Sequence, residues 1–293
     1  MDTQPDGRRL QLAGIFLVVA SALVFSLAGV LTKLIEADAW TIACWRGLLG
    51  GLLIAAYAAW RGRAKPLHHA FRIGWQGWLL ASVGSIASLA FIFAFKMTYI
   101  ANVAVIYATA PFIAAGLSWW LIRENFRRRT LVVSVFSFIG VLIVVTGGLG
   151  TGKIAGDVIA LVMTLCNALY ITLIRMFREA PVVMAGGLSA VQLFIVSLFV
   201  IDPFAVSQPD ALLLLLFGIS FAVAVILWTE GTRMIPAAEA GLFGSAEAPF
   251  AIVLAWFLLS ELPPLASFVG GGIVLVAVFA HAALDIYRPD TTK

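Results

Sequence analysis

Three observations make this sequence an all-α integral membrane protein, with ten transmembrane helices arranged as two inverted five-helix repeats. First, hydrophobic residues make up 62% of the 293 and charged residues only 12%, with a mean hydropathy of +1.04. A water-soluble globule keeps a polar exterior, so the solvent for this much apolar surface is lipid. Second, apolar stretches of about 20 residues recur along the chain, each able to cross a hydrocarbon core about 30 Å thick. Third, features of the first half return in the same order in the second. Helices are required because a bilayer offers backbone groups no outside partner. Runs such as LLLLLFGISFAVAVILW (212–228) lack the period-two alternation of a barrel strand.

The spans follow in order. Span one, 11–32, begins after Arg8 and Arg9, carries Ser26 and ends at Lys33. An apolar run behind two arginines also fits a cleaved signal peptide. This one is too long, and its removal would leave nine spans and break the repeat. Span two, 39–60, holds Arg46 within WRGLLGG, where Gly47 and Gly51 suit close helix packing. Span three covers 74–95. Span four, 100–122, has Tyr99 and Asn102 at its start and YATAPF (107–112) inside it. Span five, 130–147, closes the first half, and GGLGTGKI (147–154) leads into the second. That hairpin nearly fits the phosphate-cradling pattern G-x-x-x-x-G-K-[ST], but Ile154 cannot serve a metal and no strand precedes it. Span six, 156–174, carries Asn167 and Tyr170; span seven covers 181–201; span eight, 211–232, carries Trp228 and Glu230. Span nine, 237–259, contains Glu239 and GSAEAPF (244–250), and span ten covers 264–284.

Basic residues orient the spans. Of the 19 Lys and Arg, Lys33, Lys96 and Lys153 lie on one set of connections and Arg46 lies inside a span. All the others, from Arg8 to Lys293, lie on the opposite set, which the positive-inside bias makes cytoplasmic together with both termini. The net charge of +4 is therefore a topology signal and does not point to nucleic acid. Cys44 and Cys166 lie in different spans and suggest neither a disulfide nor a metal site. His68, His69 and His281 fall at membrane edges, and Trp40, Trp60, Trp75 and Trp78 suit interfacial belts.

At a spacing of 138, Thr109 falls on Glu247, Pro111 on Pro249 and Phe112 on Phe250. Each segment then ends on a glutamate, Glu124 in LIRE and Glu261 in LLSE. At a spacing of 142, Gly14 matches Gly156, Ser26 matches Ala168 and Lys33 matches Arg175. The chain thus reads as two halves, 1–150 and 151–293. Five spans per half is odd, so the second half enters the membrane upside down, as in many secondary transporters.

The ten-span pattern, the arginine in WRGLLGG and the paired APF…E segments resemble the EamA family of the drug/metabolite transporter superfamily, over essentially the whole chain. Within it the sequence is most similar to bacterial exporters of aromatic and other amino acids. The resemblance implies a multi-pass protein of the bacterial inner (plasma) membrane. One departure is local: the family's glycine after the helix-ending glutamate has a counterpart in Gly270, whereas Val133 stands at the first-half position.

Four ionisable residues lie within spans away from the connections: Arg46, Glu230, Glu239 and Glu247. Such residues are costly in hydrocarbon and are functional candidates. Glu247 stands ten residues into its span, about 15 Å deep at about 1.5 Å per residue, the middle of the core. Glu230 and Glu239 fall near the cytoplasmic end as interfacial or gate residues, and Arg46 is a structural or gate residue. Pro111 and Pro249 remove a helix hydrogen bond and are expected to leave the carbonyls of Tyr107 and Ser245 free. The substrate site is expected around Glu247, Tyr107, Thr109, Ser245, Trp228, Asn167 and Ser26, with Tyr99 and Asn102 nearer the outer mouth. These groups suit an ammonium substrate with an apolar side chain, and so an exporter of small metabolites, amino acids first. The same acidic, aromatic site would suit a drug or organic cation. Membrane catalysis would need clustered His, Ser–Lys or paired carboxylates, and no catalytic residue, metal or cofactor is expected; a channel fits the inverted repeat less well than a carrier.

Overall fold

The computed structural model describes residues 5–61, 74–123, 128–147, 153–177, 182–203, 205–235, 240 and 243–287. Among them no strand occurs, and the described parts of the predicted apolar runs are largely helical. The helices are α1 (Pro5–Leu34), α2 (Ala39–Trp60), α3 (Gly74–Met97), α4 (Ile100–Tyr107), α5 (Ala110–Ile122), α6 (Arg128–Gly147), α7 (Ile154–Met176), α8 (Val182–Val200), α9 (Gln208–Gly231), α10 (Glu247–Leu259) and α11 (Leu265–Tyr287). Among the described residues six apolar helical segments are long and apolar enough to cross a membrane, α4 and α5 counting together as Ile100–Ile122. Apolar stretches of α6, α8, α10 and α11 are shorter. Glu239 and most of the 147–154 hairpin lie outside the described residues, as do His68 and His69.

The exterior shows what the composition demanded. Phe199 is 88% exposed and Phe257 80%, while Ile42, Leu80, Ile100, Ile106 and Leu214 are fully enclosed. Large apolar side chains on the outside are a liability in water and the normal finish of a lipid-facing wall. The main core gathers α4 against α3, α6, α7 and α10, with Phe95, Val103, Ile106, Met163 and Ala251 among its members.

Helix packing obeys an exchange of halves. α1 packs on α9 as α7 packs on α3, and α2 crosses α9 as α8 crosses α3. α1 meets α10 as α7 meets α4 and α5. The pairs α2–α8, α4–α10 and α6–α11 are each their own counterpart. At the α6–α11 crossing, Gly140 and Gly270 each present the backbone oxygen that a β-carbon on the other would strike. Only a residue without a side chain lets two helix backbones approach so closely.

Contacts between helix ends define two ends of the bundle. At one, Lys33 pairs with Glu261, Lys96 donates to the Ile35 carbonyl, and Asp210 accepts from the amides of Glu36 and Ala37 at 2.8 and 3.0 Å. At the other, Glu230 pairs with Arg61 and Arg233, each at 3.4 Å, and accepts from the Tyr57 hydroxyl at 3.0 Å.

Candidate functional site

Both proline-bearing spans break at the predicted place. α4 stops at Tyr107 and α5 starts at Ala110; α10 starts at Glu247 after a turn at Ser245 and Ala246. Pro111 and Pro249 sit in the first turns of the new helices, where a missing N–H costs nothing because it has no intrahelical acceptor. The breaks are tighter than proline chemistry alone suggests. The Thr109 amide donates to Ile106 at 3.1 Å and Phe112 to Thr109 at 3.0 Å; Ala246 donates to Phe243 and Ala248 to Ser245, both at 3.3 Å. These are i→i−3 bonds, a local 3₁₀ tightening. The Ser245 carbonyl, expected to be free, is therefore occupied.

The register also differs from the APF match. α5 and α10 are both 13 residues long, and each ends on a left-handed residue, Arg123 (φ 58°) and Ser260 (φ 52°). Helix onto helix, Glu247 corresponds to Ala110, and Thr109 to Ala246. The prolines are one position out of step because the second helix starts one residue further ahead of its proline.

This geometry answers why a carboxylate lies in mid-span. Glu247 is the first residue of α10, where the helix dipole presents positive potential to an anion. Its carboxylate is half-buried and makes no hydrogen bond or ion pair among the described residues. Tyr107 packs in the same cluster as Ala248, and its phenol lies within electrostatic range of Glu247. Trp228 packs on the segment ahead of this helix: a β-carbon on Gly244 would come within 2.5 Å of its ring. Around the second break lie Glu247 and Ser245, with Tyr107 in electrostatic range of the carboxylate and Trp228 against Gly244.

Arg46 forms a separate polar centre between α2, α3 and α9. It is 6% exposed. One terminal nitrogen, Nη2, donates to the Ser88 hydroxyl and to the Ser88 carbonyl at 3.4 Å. The rings of Phe91, Phe221 and Phe217 stand 5.1, 5.2 and 5.6 Å from the guanidinium carbon. Cation–π contacts contribute about 0.5–2 kcal/mol each, against the several kcal/mol an ion loses on leaving water. The cage offsets much of the burial cost without supplying a counter-charge.

An open apolar groove of about 420 Å³ lies elsewhere, lined by Phe112, Ile113, Gly116, Leu117, Ser134, Val135 and Phe138 between α5 and α6. It contains none of the expected site residues.

The sequence profile of the EamA-like transporter family matches residues 12–146 and again 154–281. The chain belongs to the EamA-like transporter family. An uncharacterized transporter of Archaeoglobus fulgidus is 26% identical over 94% of this chain and 96% of its own length. The uncharacterized transporter YyaM of Bacillus subtilis is 28% identical over 66% of this chain and 67% of its own. One crystal structure superposes with a TM-score of 0.64 at 19% identity, over 96% of this chain and 99% of the other, which shows the fold alone.

Within this EamA-family chain the remaining expected site residues scatter. Thr109 is buried and donates to the Ile106 carbonyl at 2.6 Å; Ser26 donates to Leu23 at 2.6 Å, and Asn167 to Met163 at 3.2 Å. All three hydroxyl or amide groups are satisfied by their own helices or turns. Tyr99 sits at the Lys33 end, with Lys153 3.5 Å from its ring centre and Lys33 6.0 Å away. Asn102 is enclosed in a network joining both EamA repeats. It donates to Asp157 at 3.0 Å and accepts from Ser267, while Thr98 donates to Asp157 at 2.6 Å. Asp157 is fully buried, and its Oδ2 has no partner. It is a fifth intramembrane ionisable residue that sequence reasoning missed: one residue inside its span, it resembles an ordinary loop carboxylate, and only the approach of α4 reveals otherwise. Glu230 is engaged by Arg61, Arg233 and the Tyr57 hydroxyl.

Proposed function

We propose that this EamA-family protein is a secondary transporter that exports small ammonium-bearing metabolites, amino acids first, by alternating access. The observation that carries the reading is Glu247: a carboxylate at a helix start, unpaired among the described residues, in range of Tyr107 and three residues beyond the Gly244 that Trp228 covers. A substrate ammonium can supply the missing charge partner and lay apolar atoms on the two rings. The family assignment makes transport, rather than membrane catalysis, the natural use of such a site. The exchange of helix contacts between halves supports ten spans in two inverted repeats, 1–150 and 151–293, with each half able to adopt the other's conformation. Charge placement supports cytoplasmic termini in a bacterial inner membrane.

A drug or organic-cation exporter is the second reading, favoured by the same aromatic neighbours of Glu247. Reconstituted protein in liposomes loaded with single amino acids tests both. Saturable uptake of labelled substrate, stimulated by unlabelled amino acid on the far side, is expected. Stimulation by quaternary ammonium dyes alone selects the second reading. Flux without saturation or counter-stimulation defeats a carrier altogether.

A further inference from the structure

The charge balance around Arg46 is incomplete. Arg46 lies seven residues into α2, about 10 Å along the helix axis and within the hydrocarbon layer. An isolated cation there needs an anion or water. Every other described carboxylate near a polar cluster is engaged elsewhere: Glu230 with Arg61 and Arg233, Glu261 with Lys33, Asp210 with the amides of Glu36 and Ala37, and Asp157 with Thr98 and Asn102. Glu247 belongs to α10, which packs on α1 and α4, whereas Arg46 is surrounded by α3 and α9. No carboxylate lies within ion-pair distance of Arg46 among the described residues.

Hydrogen bonding is incomplete in the same way. A guanidinium carries five N–H donors in a rigid fork. Both bonds of Arg46 come from Nη2 and go to Ser88, so Nε and Nη1 donate to nothing among the described residues. The three phenylalanines stand close about the guanidinium and offer no acceptor. They hold the group in one place and leave a forked pair of donors for a planar anion.

A polar track leads to this point. Ser82, Ser85 and Ser88 recur every three residues along α3, on one side of a helix. Gln192 of α8 bridges the first two: it accepts from Ser85 at 2.8 Å and donates to Ser82 at 3.3 Å. Ser85 also donates to the Ser189 carbonyl at 3.1 Å. These hydroxyl and amide groups tie α3 to α8 and so fix the helix that carries Ser88.

We infer that Arg46, held by Ser88 and caged by Phe91, Phe217 and Phe221, is the binding point for the carboxylate of a small organic molecule. This deepens the transport reading above and rests on it for its physiological meaning. A carboxylate fits the free fork two-to-two, and the rings receive an apolar substituent. A phosphate ester fits less well, since a dianion calls for further Lys or Arg and none stands beside Arg46.

The test measures binding without flux. Purified protein in detergent is titrated with sodium benzoate, with methyl benzoate, sodium chloride and sodium phosphate as controls, and thermal unfolding is followed. Benzoate is expected to raise the midpoint of the wild-type protein and of Glu247→Gln, methyl benzoate to have no effect, and Arg46→Gln to abolish the benzoate shift. Arg46→Lys, a point charge without the fork, should weaken apparent affinity by about tenfold or more. Ser88→Ala keeps the cation and loosens its tether, so a several-fold loss is expected even if Arg46→Gln does not fold. Equal benzoate protection of Arg46→Gln and wild type overturns the inference. So does an absence of benzoate binding to wild type up to about 10 mM, or an equal shift from chloride. Failure of amino-acid counterflow in liposomes would refute the transport reading and leave this binding result intact.

Discussion

Replacing Glu261 with glutamine should open the Lys33 end of the molecule. The Glu261 carboxylate pairs through one oxygen with Lys33 at the end of α1, and through the other it accepts the Ile100 amide at the start of α4 at 2.5 Å. It therefore clasps α1, α4 and the α10–α11 turn, drawn from both halves. Any state open at this end must part them. The side chains are 19% and 11% exposed, between a surface pair worth under about 1 kcal/mol and a buried pair whose disruption costs about 3–5 kcal/mol. An intermediate value of about 2 kcal/mol shifts the balance between closed and open states about thirtyfold, at about 1.4 kcal/mol per factor of ten. Ala101, 3% exposed and next to Ile100, reports on that opening. In a background without Cys44 and Cys166, Ala101→Cys should react with a membrane-impermeant maleimide about thirtyfold faster when Glu261→Gln is added, provided labelling follows the open population. Lys33→Gln should act in the same direction. Unchanged labelling in folded Glu261→Gln protein would refute the clasp.

Glu247→Gln keeps the shape of the side chain and removes its charge; with normal expression, liposome uptake of ammonium substrates should fall by about tenfold or more, the scale of a lost charge-assisted contact. Thr109→Val, which removes a hydroxyl bonded to its own turn, should cost less in the same assay. Pro111→Ala and Pro249→Ala should each slow transport while leaving thermal unfolding near that of the wild type, because each missing N–H lies in a first turn; full activity in both would make the breaks mere packing features. Gly270→Ala should destabilise the fold by about 1–3 kcal/mol through overpacking against the backbone of Gly140, seen as a lower unfolding midpoint.

Helix positions were legible because lipid leaves the chain so little choice: apolar runs of spanning length must be helical, and the described parts of the predicted runs largely are. The two breaks were legible because proline has a fixed chemical consequence. Their geometry was not. Whether freed carbonyls stay open or are taken up by i→i−3 bonds depends on the turn before the proline, and at Ser245 the turn tightened. The correspondence of Thr109 with Glu247 failed by one residue because sequence identity aligned the prolines while the helices align by their starts and their left-handed ends. The Asp157–Asn102–Thr98–Ser267 network and the phenylalanine cage of Arg46 join residues from separate helices. Long-range packing of that kind leaves no periodicity to read.

The reciprocal contact of Gly140 with Gly270 has the form of an isologous interface, in which residue i meets j and j meets i, as across the two-fold axis of a homodimer. Here i and j are separate codons of one chain. A true dimer built from such a bundle would have to carry every off-axis group twice, so an arginine on α2 would demand an arginine on α8. At the spacing of 142 that relates the two halves, Arg46 instead meets Leu188. Covalent fusion of the halves thus lifts a symmetry restriction: the axis keeps its paired glycines, while the membrane interior can hold one guanidinium and one carboxylate at unrelated positions. Such an unpaired placement of polar groups is closed to a symmetric pair of identical subunits.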